Sequence, residues 1–344
     1  MSSALKKIVD AKTLRSLVTS GAINKEGVRL FDCALFINPR PDWKPFKEQS
    51  HGKFETLVAA ETRAKKLYEG AHIPGAVHCD LDIATYPSKY ERFTFYPAEV
   101  FEQYIQLLGV EKGEHIIVYG RGAQGAMLFA GKIAWLLKSY GQEKLSLLDG
   151  GLDYWLKQKY ELSDTPAKLE KGDWRAVDRI AEFNTNFDEL ETADASGKQF
   201  IERTDETRFL DARIRGQFEG TEETGLDPYM VTGSHIPGFI NVPSAELTTL
   251  NGVLKSPEEI KQMCPQSSQP IVTSCNTGVQ ASYLAYALDA ADASTKPRVY
   301  PGSLKEMEKR DPKKISAGKE DLLEGFKKEK KKEEEVKKNY DLLL

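Results

Sequence analysis

The tetrapeptide His-Ile-Pro-Gly occurs twice, at His72 to Gly75 and at His235 to Gly238, 163 residues apart. A repeat at domain spacing means that the chain builds one kind of unit twice. Other features keep the same order in both halves. Leu30-Phe31-Asp32 matches Phe209-Leu210-Asp211, and Ile116-Ile117-Val118-Tyr119-Gly120 matches Ile271-Val272-Thr273-Ser274-Cys275. Leu147-Leu148-Asp149-Gly150-Gly151 resembles Arg298-Val299-Tyr300-Pro301-Gly302-Ser303. Each half therefore reads as a strand ending in Asp, an excursion, His-Ile-Pro-Gly, a strand, a turn, an amphipathic helix and another strand. Strands that alternate with helices predict an α/β fold, in which each half is a mainly parallel sheet with helices on both faces.

The helix of the first half is expected over residues 126–140, apolar at Met127, Leu128, Ile133, Ala134, Leu136 and Leu137 and closed by Gly141. Its counterpart is expected over 279–289, with Tyr283, Leu284, Tyr286, Ala287 and Leu288 as apolar positions. These signals divide the 344 residues into a first domain at 8–160, a linker at 161–205, a second domain at 206–316 and a tail at 317–344. Ile180, Phe183 and Phe187 are the residues of the polar linker able to anchor it on a surface. The tail contains Lys327-Lys328-Glu329-Lys330-Lys331-Lys332-Glu333-Glu334-Glu335, too charged to build a core of its own.

A net charge of -4 gives no general attraction to nucleic acid, which needs an excess of Lys and Arg gathered on one face. No apolar run approaches the length of a membrane span, and residues 1–10 lack the apolar core of a signal peptide. The expected protein binds neither nucleic acid nor membrane. Four scattered cysteines without a CxxC pair, and five histidines, argue against a structural zinc site and fit a reducing compartment. The expected location is the cytoplasm, with the mitochondrion as the alternative.

Cys275 is the residue best placed for chemistry. It ends an apolar strand and is followed by Asn276-Thr277-Gly278-Val279-Gln280-Ala281, a turn into a helix. Backbone N–H groups of such a loop and the positive end of the helix stabilise a thiolate, the reactive form of the residue. The same loop of the first half carries Gly120 in place of cysteine, so one copy keeps a nucleophile that its twin lacks. A second motif competes for attention. Gly120-Arg121-Gly122-Ala123-Gln124-Gly125 has the spelling of a dinucleotide-binding fingerprint, with Asp149 further on. Asp149, however, belongs to the turn that recurs in the second half, and no second cofactor-binding unit follows. A phosphatase using Cys275 would need an arginine about six residues on to clamp phosphate, where this chain has Ala281.

Taken together, His72 to Ala76, Ser146 to Leu152, Asp211-Ala212-Arg213, Phe218 to Glu222, His235 to Gly238 and Cys275 to Val279 give a sequence that resembles the two-domain rhodanese family of sulfurtransferases, most nearly its 3-mercaptopyruvate members. The resemblance runs over about residues 8–310. It implies that Cys275 takes sulfur from 3-mercaptopyruvate or thiosulfate, holds it as a persulfide, and passes it to cyanide or to a thiol, either small or on a thioredoxin-like protein. It implies no cofactor and no metal. Thr277 stands where the family places a serine thought to aid proton transfer, and Asn276, Gly278, Val279 and Gln280 would line the anion cradle. His72 matches a histidine proposed for a proton relay, with Glu61 as the nearby carboxylate. His235 fills the same motif in the second half, which gives His72 an equally good structural reading.

The chain departs from the family at the residues that bind the donor. The family's Gly-Arg-Phe reads Gly216-Gln217-Phe218, and its second donor arginine falls at Leu226. Gln217 offers a hydrogen bond but no charged fork. Arg213 or Arg215 could substitute, though Arg213 after Asp211 also reads as an internal ion pair; Arg121 is a further replacement cation. Loss of both arginines supports an alternative, a degenerate binding or sensor protein with little turnover. If position 217 faces the donor's carboxylate, Gln217→Arg lowers the KM for 3-mercaptopyruvate; an unchanged KM places the carboxylate elsewhere.

Overall fold

The computed structural model describes residues 5–36, 39–168, 170–222, 231, 234–264 and 268–316. Residues 317–344, expected as a tail, and Leu226 lie outside the described residues. Two all-parallel sheets carry the fold. The first contains β1 (Ile8–Val9), β2 (Val28–Asp32), β3 (Val77–His78), β4 (His115–Tyr119) and β5 (Leu145–Leu148) in the order β1-β5-β4-β2-β3. The second contains β6 (Arg208–Asp211), β7 (Ile240–Asn241), β8 (Ile271–Ser274) and β9 (Arg298–Val299) in the order β7-β6-β8-β9.

The strands are apolar at almost every position because each sheet is covered on both faces. Successive residues of β4 show it: Ile116 and Val118 point into one hydrophobic cluster, Ile117 and Tyr119 into another. In β8, Ile271 belongs to the first of these clusters and Val272 to a third. The cluster holding Ile116, Val118 and Ile271 is shared by both halves, so the two inner sheet faces and the helices between them form one core. Outer layers close each half: Leu14, Tyr68 and Trp155 on the first sheet, Phe187, Leu304 and Met307 on the second.

At the centre of the shared core, helix Leu128–Ser139 lies against helix Val279–Ala291. They are the elements expected over 126–140 and 279–289. The first begins later because Gln124, Gly125 and Ala126 all take positive φ in the turn before it. Contact between the two helices is close enough that a Cβ on Gly131 would meet Tyr283 Cδ2 at 2.8 Å and its Cα at 3.0 Å.

Residues 161–205, expected as a linker, are docked along both halves. Ser163 pairs with His72 by backbone hydrogen bonds of 2.8 and 2.9 Å, and Trp174 is buried in the shared core. Phe187, Leu190 and Ile201 are core residues of the second half. The stretch reads as polar in sequence because its anchors are single apolar residues without helical or strand period.

The glycine-rich loop at 120–125 makes protein contacts where a dinucleotide would need space. Gly125, at φ +66°, lies against the Gly252 carbonyl oxygen of the second half, and a Cβ on Gly120 would meet the Ala126 carbonyl oxygen at 2.8 Å. Beside it, the Leu254 N–H donates to Asp149 at 2.6 Å and Lys157 Nζ donates to the Asn251 carbonyl at 3.0 Å. The glycines and Asp149 dock one half on the other.

Gly131→Ala is expected to destabilise the chain by about 1–3 kcal/mol, because backbone and ring atoms of Tyr283 cannot both retreat. Gly70, which ends a helix and has no neighbouring atom within 4 Å of where a Cβ would stand, is the control: Gly70→Ala leaves the melting temperature equal or higher. Thermal unfolding of both variants checks the pair.

Candidate active site

Strand register places Asp32 beside Tyr119 in the first sheet and Asp211 beside Ser274 in the second. Gly120 and Cys275, the next residues of β4 and β8, therefore occupy equivalent strand ends. Cys275 is 1% exposed and belongs to the shared core, so its loop opens toward the other half of the molecule.

The loop is held from behind by helix Ser303–Arg310. The first N–H groups of any helix lack partners within it; here Leu304 N–H donates to the Cys275 carbonyl and Lys305 N–H to the Asn276 carbonyl, each at 3.0 Å. In return, the Cys275 N–H donates to Ser303 Oγ at 3.1 Å, and that hydroxyl donates to the Tyr300 carbonyl at 2.7 Å. Ser303 holds φ +51°, uncommon for a residue with a side chain, and its two hydrogen bonds compensate for that backbone strain. In front, Gly278 N–H donates to Cys275 Sγ at 3.1 Å. Gly278 sits at φ +80°, and a Cβ there would press on the Pro301 carbonyl oxygen, so only glycine turns the chain into helix Val279–Ala291.

Burial pushes the Cys275 thiol above the ordinary range, and the charge of Asp211 adds to the rise. The N–H groups of Ala281, Thr277 and Gly278 oppose it. Loop N–H groups thus act on the sulfur, while the balance of forces differs from the expected resting thiolate: removing water from a small charged sulfur costs more than the loop dipoles return. Asn276, Gly278 and Val279 are buried in the loop, whereas Thr277 and Gln280 are half-buried.

Arg213 is consumed locally. Its Nε lies 3.0 Å from both Asp211 oxygens, and its Nη2 donates to Asp211 at 2.6 Å and to the Ser234 carbonyl at 2.6 Å. The first half neutralises Asp32 in the same way, but with Arg121, which also donates to the Leu67 and Ala71 carbonyls at 3.1 Å. Neither arginine is left to face a donor. Arg215 forms an exposed ion pair with Glu246 at 2.7 Å. Gln217 is buried on the short helix Arg215–Glu219.

His72 is fully buried in the first half, stacked on Tyr68 at 4.3 Å. Its Nδ1 faces the Tyr68 carbonyl at 2.8 Å and its Nε2 the Thr165 carbonyl at 3.2 Å. His235 repeats the arrangement, stacked on Phe218 at 4.1 Å with Nδ1 2.9 Å from the Phe218 carbonyl. The contacts of His72 are those of the repeated motif and do not include Cys275. Glu61 pairs with Lys65 on the surface at 3.4 Å.

Ser303, Lys132 and Glu91 escaped the sequence reading. Ser303 follows Pro301-Gly302, and nothing in the sequence says that its hydroxyl meets the cysteine. Lys132 lies within helix Leu128–Ser139, where a lysine ordinarily marks a solvated face. Here it is 0% exposed, and the charges of Glu91 and Cys275 both act on it. Among the described residues, no group of three His, Cys, Asp or Glu side chains is placed to hold a metal ion.

The model of the rhodanese-like domain matches residues 45–158 and again 196–310. The chain belongs to the rhodanese family. A Caenorhabditis elegans relative, mpst-1, which carries a provisional thiosulfate sulfurtransferase name, is 53% identical over 93% of this rhodanese chain and 99% of its own. The 3-mercaptopyruvate sulfurtransferase of Mus musculus is 33% identical over 70% of this chain and 78% of its own. Among solved structures, SseA from Escherichia coli, described among 3-mercaptopyruvate sulfotransferases, is 24% identical with a TM-score of 0.63, covering 87% of this chain and 99% of that one. Tum1 of Saccharomyces cerevisiae is 23% identical with a TM-score of 0.68, covering 90% and 98%. These two structures share the two-domain rhodanese fold.

Ser303→Ala removes the acceptor of the Cys275 N–H and is expected to cost about 1–3 kcal/mol of stability. It also slows Cys275 chemistry, because the loop loses its support. Ser303→Gly relieves the strain at φ +51° and loses less stability than the alanine variant. An alanine variant as stable as the parent would remove Ser303 from this account.

Proposed function

We propose that this rhodanese-family protein is a sulfurtransferase working through Cys275, with 3-mercaptopyruvate as first donor and thiosulfate as second. The observation that carries the reading is the Gly278 N–H at 3.1 Å from Cys275 Sγ, with the Thr277 and Ala281 N–H groups directed at the same atom. Such a cradle suits a sulfur that must carry negative charge and also hold a second, charged sulfur beyond it. Relatives named for both donors support the choice of substrates.

With 3-mercaptopyruvate, the Cys275 thiolate attacks the donor's sulfur. An S–S bond forms and the carbon–sulfur bond breaks, its electron pair leaving as the enolate, which takes a proton to become pyruvate. With thiosulfate, the attack falls on the outer sulfur and sulfite leaves with the pair of the broken S–S bond. In both cases Cys275 becomes a persulfide. A thiolate acceptor, small or protein-borne, or cyanide then attacks the outer sulfur, giving an acceptor persulfide or thiocyanate and returning the Cys275 thiolate. Thr277, half-buried two residues after Cys275, is the proposed source of a hydroxyl for the proton transfer. Because Cys275 rests mainly as the thiol, its proton must leave before or during the attack.

Incubation with either donor is expected to add about 32 Da, one sulfur, to the intact mass, and Cys275→Ser abolishes the adduct. No adduct with either donor would overturn the reading and favour a binding protein without turnover. At saturating donor, the rate of adduct formation is expected to keep climbing as pH rises through the ordinary thiol range, since burial raises the pKa of Cys275 and the thiolate fraction grows with pH. A rate flat from neutral pH upward would mean that the thiolate already dominates.

A further inference from the structure

The donors named above are anions, yet the arginines expected to receive them are absent or engaged. Around the Cys275 loop, Arg213 is held by Asp211, Arg215 by Glu246, and Arg310 by Glu306 at 2.9 Å and Asp188 at 2.6 Å. Lys132 stands apart from them. It projects from the helix that packs on helix Val279–Ala291, it is fully buried, and its Nζ makes no hydrogen bond among the described residues. An ammonium taken out of water with no hydrogen-bond acceptor is costly, and a methionine of similar length would be the more stable choice there. Such a residue is typical of a site that trades stability for binding.

Its surroundings say what it binds. The Phe95 ring lies 5.0 Å from Nζ and presents a face that tolerates a cation without hydrogen-bonding it. Glu91 is the carboxylate acting on Lys132, and it also feels the repulsion of Glu306. Burial pushes Glu91 up to about 7, so near neutral pH it only partly cancels the ammonium. Lys132 itself is pulled down to about 8 by burial, which leaves it mostly charged at neutral pH. When it is ionised, Cys275, from the opposite half of the molecule, is a further charge that acts on Lys132. Lys132 thus lies, on a helix packed against the one that follows the Cys275 loop, within electrostatic reach of a thiol held in an N–H cradle by the other half.

The geometry points to Lys132 as the donor-binding cation: its ammonium receives the anionic end of a small sulfur donor whose transferable sulfur is presented to Cys275. The inference rests on the sulfurtransferase reading and adds to it that the donor site is built across the two halves. A lysine in this role also fits a tolerant site. An ammonium is a compact point charge that accepts a carboxylate or a sulfonate without the planar fork that arginine imposes.

The test uses the full chain with Lys132→Met, Lys132→Gln and Lys132→Arg, assayed with 3-mercaptopyruvate and with thiosulfate, cyanide being the acceptor. Lys132→Met and Lys132→Gln are expected to raise KM by about 10–100-fold with a much smaller change in kcat, and Lys132→Arg to stay within about 3-fold of the parent. A rise for both donors supports a shared anion site, and a rise for one identifies the donor that Lys132 receives. Unchanged KM for both donors in a folded Lys132→Met or Lys132→Gln overturns the inference while leaving persulfide formation, and the sulfurtransferase reading, intact. Calorimetric titration of thiosulfate into Cys275→Ser, with and without Lys132→Met, reads binding without chemistry. Loss of binding in the double variant supports Lys132 even where the parent forms no persulfide; equal binding overturns it.

Discussion

Contact between helix Leu128–Ser139 and helix Val279–Ala291 is the constraint on which the rest of the molecule depends. Each helix covers the inner face of its own sheet, and each would leave an apolar face bare without the other. Gly131 under Tyr283 sets how closely they approach. That distance fixes where the helix starts stand, and the turn before each start is the loop at the end of β4 or β8. The position of Cys275 against the first half is thus a consequence of apolar packing, whose strength comes from area removed from water rather than from any directed bond.

Duplication explains why the two loops differ while their frames do not. In both halves a buried aspartate ends the first central strand beside the loop strand, and an arginine neutralises it. The first half takes that arginine from the loop itself, as Arg121, whereas the second takes it from Arg213, two residues after the aspartate. The second loop, freed of that duty, directs its N–H groups at Cys275. The glycine-rich first loop instead presses against Gly252 and closes the boundary between the halves.

Much of the frame was legible because it rests on local signals. Strands buried on both faces read as apolar runs, the paired Asp and His-Ile-Pro-Gly motifs marked equivalent positions, and Gly278 marked the turn at the cysteine. Other features were not legible, for physical reasons. Residues 161–205 read as a linker with a few anchors, and the burial of Trp174 and Leu190 in it was not visible because isolated anchors carry no period. Gly120 to Gly125 had the spelling of a phosphate cradle, set aside on the recurrence of the Asp149 turn, because close backbone approach to a ligand and to another protein loop both call for glycine. The thiolate expected at Cys275 followed from loop dipoles, which a sequence shows, without the burial that outweighs them, which it does not.

The sequence by itself determined that two copies of one α/β unit exist, that one copy retains a cysteine at a strand-to-helix turn, and that position 217 carries no charge. Each of these is a statement about neighbours along the chain, where period, turn residues and spacing are sufficient. Only the tertiary structure decided which charges are free. Arg213 and Arg121 were spent on buried aspartates, His72 on the carbonyls of its own motif, and Lys132, unremarkable in a helix, became a buried cation with no hydrogen-bond partner among the described residues. Desolvation and charge–charge interaction depend on what lies across space, and here the decisive partners come from opposite halves of the molecule.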